Sequence, residues 1–126
     1  MRAVDTNVLV RLVTRDEAAQ AMAGEAFVAA GAWVSQLVLM ETIWVLSSVY
    51  GLQPERIATA IEMLLNHQSL TVQEPETVGA ALAQFRRRPS LGFSDCLILE
   101  AARKHGHLPL GTFDWELSKL DGTMKL

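Results

Sequence analysis

Short apolar strings alternate with longer amphipathic segments from end to end of this chain, and that alternation constrains its fold more than any other feature. Ala3 and Val4 read as a buried strand, closed by Asp5-Thr6-Asn7, after which Val8, Leu9, Leu12 and Val13 recur at helical spacing. Asp16 is placed to cap a helix over 16–30, and Gly31 stops it before a strand at Trp33 and Val34. Ser35 is placed to cap a helix through Tyr50 ahead of Gly51, and Pro54 suits the first turn of a helix reaching Asn66. Residues 70–73 alternate as a strand does. Pro75 opens a helix through Arg88, Ser94 is placed to cap one reaching His105, and Gly106 closes it before a strand over 108–111. Asp114 starts a last short helix, and 124–126 read as an edge strand. Strands joined by helices cannot be hairpin partners, so they predict an α/β fold: three layers, α/β/α, around a central parallel sheet. Ligands of such sheets bind beyond the carboxyl ends of the strands, where Asp5 and Asp114 are expected.

A length of 126 residues suits one domain over 1–126, and no linker, repeat or low-complexity tract divides it. No apolar run approaches the ~18 residues of a membrane span, so the expected location is cytoplasmic. The lone cysteine, Cys96, lies among Leu97, Ile98 and Leu99 and reads as a small buried hydrophobe. A net charge of -3 argues against a broad basic surface for nucleic acid. It does not argue against acids gathered around a cation, because the bound ion offsets their charge.

Four acids stand out. Asp5, Asp95 and Asp114 lie at or just before helix N-termini, where capping alone accounts for a carboxylate. Glu41 fits no such role. It lies inside a long helix with Leu37, Val38, Trp44 and Val45 on its face, and no lysine or arginine stands between Arg15 and Arg56. An apolar face predicts burial and a raised pKa for Glu41, with a distant arginine or a water-filled rim as the alternatives. Two carboxylates ~4 Å apart repel by about 4 kcal/mol at an effective dielectric near 20, so gathering several requires protons or a cation. Oxygen ligands without histidine or cysteine favour Mg²⁺ or Mn²⁺ over zinc.

Val4-Asp5-Thr6-Asn7-Val8-Leu9, Leu39-Met40-Glu41-Thr42, Phe93-Ser94-Asp95-Cys96-Leu97-Ile98 and Thr112-Phe113-Asp114 together resemble the PIN-domain nucleases, specifically the VapC-like toxins of type II toxin–antitoxin pairs. The resemblance covers nearly the whole chain. It implies an endoribonuclease that hydrolyses RNA phosphodiesters with Mg²⁺ or Mn²⁺ and leaves a 5′-phosphate and a 3′-hydroxyl. By position, Asp5, Glu41, Asp95 and Asp114 match the catalytic acids, with Asp5, Asp95 and Asp114 as the metal ligands. Asn7, Thr112 and Ser94 match supporting polar positions, Ser94 being equally explained as a cap. Gly92 stands where close relatives often carry another acid. The resemblance also implies a homodimer and a small antitoxin that lays an amphipathic segment over the helices of 16–30 and 52–66.

Other features have ordinary explanations. Arg86-Arg87-Arg88 ends a helix opened by Glu74 and Glu76, so the helix dipole accounts for it, with phosphate binding as the alternative. Arg11 and Arg15 are further candidates for RNA contact, and Trp33, Trp44 and Trp115 suit a core, an interface or base stacking. His105 and His107 flank a helix C-terminus and, with His67, are the only histidines for a 2′-hydroxyl mechanism. An aspartate-based phosphatase would want a second acid at Asn7. A PIN-like module that binds RNA or a protein with little turnover is the non-enzymatic alternative.

Overall fold

The computed structural model describes residues 1–126, and the chain resolves into two compact units, Met1–Pro75 and Glu76–Leu126.

The first unit is built from β1 (Arg2–Ala3), α1 (Thr6–Thr14), α2 (Ala18–Val28), β2 (Ala32–Val34), α3 (Gln36–Ser48), α4 (Pro54–Asn66) and β3 (Leu70–Val72). Its strands form a parallel sheet in the order β1-β2-β3, with Arg2 opposite Ala32 and Val34 opposite Val72. The first strand runs one residue earlier than its pattern suggested, although the Val4 amide still donates to the Trp33 carbonyl at 3.2 Å. In β2, Ala32 and Val34 are buried while Trp33 points outward, as period-two alternation requires.

Helix boundaries follow the capping chemistry. Glu17 caps α2, not Asp16: its carboxylate accepts the Ala19 and Gln20 amides, whereas Asp16 is engaged by Thr14, Tyr50 and Arg11. The hydrogen bonds from Thr14 and Tyr50, then the charge of Arg11, hold the Asp16 carboxyl below its ordinary value. Gly31, at φ 96°, supplies the left-handed turn between α2 and β2, and its amide donates to the Val28 carbonyl at 2.8 Å. Ser35 caps α3 as expected, its hydroxyl accepting the Val38 amide at 3.1 Å. Ser35→Ala is expected to lower the unfolding free energy by about 1 kcal/mol in urea titration, with the slope unchanged.

α3 corrects a larger expectation. Leu39, Thr42, Ile43 and Leu46 form its buried face, and the face shared by Leu37, Glu41 and Trp44 is the outer one, with Leu37 82% and Trp44 63% exposed. The helix is apolar on both sides, so its pattern did not decide which stripe faces the core. Contacts of α1 with α2 and α3, and of α4 with α3 and β3, close this core around Leu9, Leu46, Ile61 and Leu64, all fully buried.

The second unit holds the rest of α5 (Pro75–Arg87), α6 (Phe93–Lys104), β4 (Leu110–Thr112), a 3₁₀ turn (Leu117–Lys119) and β5 (Thr123–Lys125). β4 and β5 pair in parallel, Leu110 opposite Thr123 and Thr112 opposite Lys125. β4 begins after Pro109, which has no N–H to give a ladder, and so starts later than the 108–111 expected. Gly92 takes the cap position of α6, its carbonyl accepting the Asp95 and Cys96 amides. Ser94 therefore lies within the first turn and is not the cap. Phe85 and Phe93 meet edge to face at 6.1 Å between ring centroids. Cys96 is fully buried, and burial, then the charges of Asp95 and Glu100, push its thiol up to about 11, which leaves it inert. No helix is long and apolar enough to cross a membrane.

Candidate functional site

Asp5 stands immediately beyond β1 as the cap of α1. Its Oδ1 accepts the Thr6 amide at 2.7 Å. That bond fixes the side chain and leaves Oδ2 for another ligand. Thr6, buried at the start of α1, donates its hydroxyl to Glu41 Oε1. Asp5, Thr6, Asn7 and Glu41 line one pocket of about 340 Å³, together with Val45, Val49 and Tyr50. Glu41 is thus an exposed carboxylate held by a threonine, not a buried one held by an arginine. Thr6 is the residue that sequence reasoning missed; its position between Asp5 and Asn7 was the available signal.

Arg11 enters the same pocket from the second turn of α1. It is held by Gln20 Oε1 at 2.6 Å, Asp16 Oδ1 at 3.3 Å and the Tyr50 hydroxyl at 3.1 Å. A guanidinium fixed by three partners is a poor flexible clamp and a good fixed positive charge.

The second unit supplies Asp95 and Asp114. Asp95 lies in the first turn of α6, half-buried. Burial raises its pKa above the ordinary 3.8, and the negative charge of Asp114 raises it further. Asp114 follows β4, and its Oδ1 accepts the Leu117 amide at 2.9 Å, which forms the 3₁₀ turn. Thr112 Oγ1 accepts the Asp114 amide at 2.9 Å and sets the geometry of that loop. Ser94 is exposed beside Gly92.

The acids accordingly stand as Asp5 with Glu41 in one unit and Asp95 with Asp114 in the other. No group of three or more His, Cys, Asp or Glu side chains is assembled to hold a metal ion. The donor chemistry nonetheless fits a hard divalent cation: every candidate ligand atom is a carboxylate oxygen, and the Asp95–Asp114 pair carries a repulsion that a cation removes.

An α/β chain with short parallel strands and carboxylates placed directly after β1 and β4 belongs to the class that binds ligands at strand carboxyl ends. The PIN domain family matches residues 2–123, and the chain belongs to that family. The α/β fold class read from the sequence is that of a PIN domain. PIN domains are generally nucleases, often metal-dependent. No curated protein and no solved structure matches the chain.

Proposed function

We propose that this chain is a divalent-metal-dependent endoribonuclease, a single domain in which Asp5, Glu41, Asp95 and Asp114 act on one RNA phosphodiester. The observation that carries the reading is Asp95, half-buried and with the negative charge of Asp114 close by, in a chain matched to a nuclease family over residues 2–123. Paired acids without a cation are costly, and a family that uses divalent ions explains why they are kept.

Asp5, Asp95 and Asp114 would hold Mg²⁺ or Mn²⁺. The ion would supply charge neutralisation at the phosphoryl oxygens and a lowered pKa for the attacking water. Asp5 and Asp114 each commit Oδ1 to a backbone amide, so that Oδ2 is presented in a fixed direction. Glu41, with Oε1 bonded by the Thr6 hydroxyl, keeps Oε2 to take the proton of the water. Thr112 would support the loop that carries Asp114, through its bond to the Asp114 amide, and Asn7 and Ser94 would act as supporting polar groups beside Asp5 and Asp95.

The finer assignment is a VapC-like toxin acting in the cytoplasm as a homodimer and neutralised by a small antitoxin. Met22 on α2 and Met63 on α4 are exposed at 71% and 41%, which suits an amphipathic segment laid over these helices. One feature favours the alternative of a weakly active binding module. Gly92 adds no carboxylate, although a Cβ there would meet only Ser94 Oγ at 3.7 Å and its backbone would accept an acid.

Incubation of the protein with single-stranded RNA is expected to give cleavage with Mn²⁺, none with excess chelator, and 5′-phosphate ends. Cleavage that persists after complete metal removal would discard the mechanism. RNA binding without cleavage at saturating Mn²⁺ would select the binding module.

A further inference from the structure

The arginine run at the end of α5 has an ordinary explanation in the helix dipole, but that explanation covers one element only. In the second unit Arg87 and Arg88 line a cavity of about 530 Å³ together with Lys119, a cation from a different element. Gln84, Leu120 and Asp121 complete its wall. Neither the Arg87 nor the Arg88 side chain makes an ion pair or a hydrogen bond; the Arg88 backbone does, its amide donating to the Gln84 carbonyl at 3.0 Å. Lys119 is restrained, by Glu116 at 3.7 Å and by the Trp115 ring at 5.5 Å. Three cations facing one cavity, with Asp121 the single opposing charge on its wall, repel one another unless an anion enters.

The cavity also belongs to the same stretch of chain as an acid of the proposed centre. Asp114 caps the turn that leads into Leu117–Lys119, so the loop that fixes Asp114 also fixes Lys119. An endonuclease must hold its substrate on both sides of the scissile bond, and the carboxylates of the centre themselves repel the neighbouring phosphates. Two unpaired guanidinium forks and a point charge match phosphodiester oxygens.

We propose that the Arg87–Arg88–Lys119 cavity is a backbone subsite for single-stranded RNA, which grips phosphates adjacent to the one cleaved. The proposal rests on the ribonuclease reading for its choice of polyanion. An acidic protein segment is the competing occupant.

The test is fluorescence anisotropy with a labelled single-stranded RNA oligonucleotide in chelator, for the wild type, Arg87→Ala/Arg88→Ala and Arg87→Lys/Arg88→Lys. The alanine pair is expected to weaken binding roughly 10-fold at 0.1 M salt and to make the logarithmic salt slope shallower by about 1.4, two phosphates at ~0.7 each. The lysine pair should restore the slope. Circular dichroism melts should coincide for all three, since both positions are exposed. Equal affinities and slopes for wild type and the alanine pair, no RNA binding by the wild type, or dependence on these arginines for oligoglutamate but not for RNA would each overturn the subsite.

A parallel Mn²⁺ cleavage assay separates this idea from the reading beneath it. Cleavage with an unchanged KM in the alanine pair sinks the subsite and leaves the nuclease. Arginine-dependent binding without cleavage by the wild type keeps the subsite and sinks the nuclease.

Discussion

Asp95→Asn is expected to lower Mn²⁺-dependent RNA cleavage by about 10³-fold while leaving a protein that melts no lower than the wild type. The two halves of that result have one cause. Burial and the charge of Asp114 raise the Asp95 pKa in the folded protein, so the native state holds this proton more tightly than the unfolded chain. Below the ordinary value of 3.8 both states are protonated and Asp95 contributes nothing to the pH dependence. As pH rises through the folded-state value the carboxylate ionises against its surroundings, and stability falls across that window and stays reduced above it. Asparagine has the shape without the charge. In metal-free buffer the variant should therefore melt higher than the wild type at pH 7, and the gap should close toward pH 3. Adding Mn²⁺ should raise the wild-type melting temperature and move the variant less, because only a bound ion stabilises the native state by mass action. A variant that melts lower in metal-free buffer, or that cleaves RNA at the wild-type rate, would remove Asp95 from the proposed centre.

Two acids of the proposed centre are also capping residues, which is why the same side chains admit two readings from sequence. Asp5 and Asp114 looked like caps, and each is one through Oδ1. The second oxygen, which no pattern distinguishes from the first, is what remains for chemistry. The order of strands and helices was legible because Gly31, Ser35, Pro54 and Gly106 mark element ends by local backbone requirements. Caps that depend on competition were not legible. Asp16 and Glu17 are adjacent acids, and Thr14, Arg11 and the distant Tyr50 together draw Asp16 away and leave the helix to Glu17. Glu41 was found as an anomaly among apolar neighbours, and its partner was not, because the Thr6 hydroxyl comes from a helix 35 residues earlier. The three tryptophans also needed coordinates: Trp33 is 37% exposed, Trp44 and Trp115 each 63%.

The orientation of α3 decides how Glu41 is presented, and it has a direct test in stability. Leu46→Ala is expected to cost about 2–5 kcal/mol, a large fraction of the roughly 5–15 kcal/mol that holds a domain of this kind. Leu46 is fully buried on the face that meets the core, where α3 packs against α1 and α4, and the leucine cannot be truncated without leaving a cavity. Leu37→Ala, on the outer face and 82% exposed, should change stability by less than about 0.5 kcal/mol. Both substitutions remove the same atoms from the same helix, so intrinsic helix propensity cancels and the difference reports which stripe faces inward. A rotation of the helix by half a turn would reverse the two results. It would also bury Glu41 among apolar side chains, separate it from Thr6, and return the carboxylate to the dry surroundings that its neighbours in the sequence suggested. Equal losses from both leucines in chemical denaturation would mean that the outer stripe is covered as well, and Glu41 would then have to act from beneath that cover.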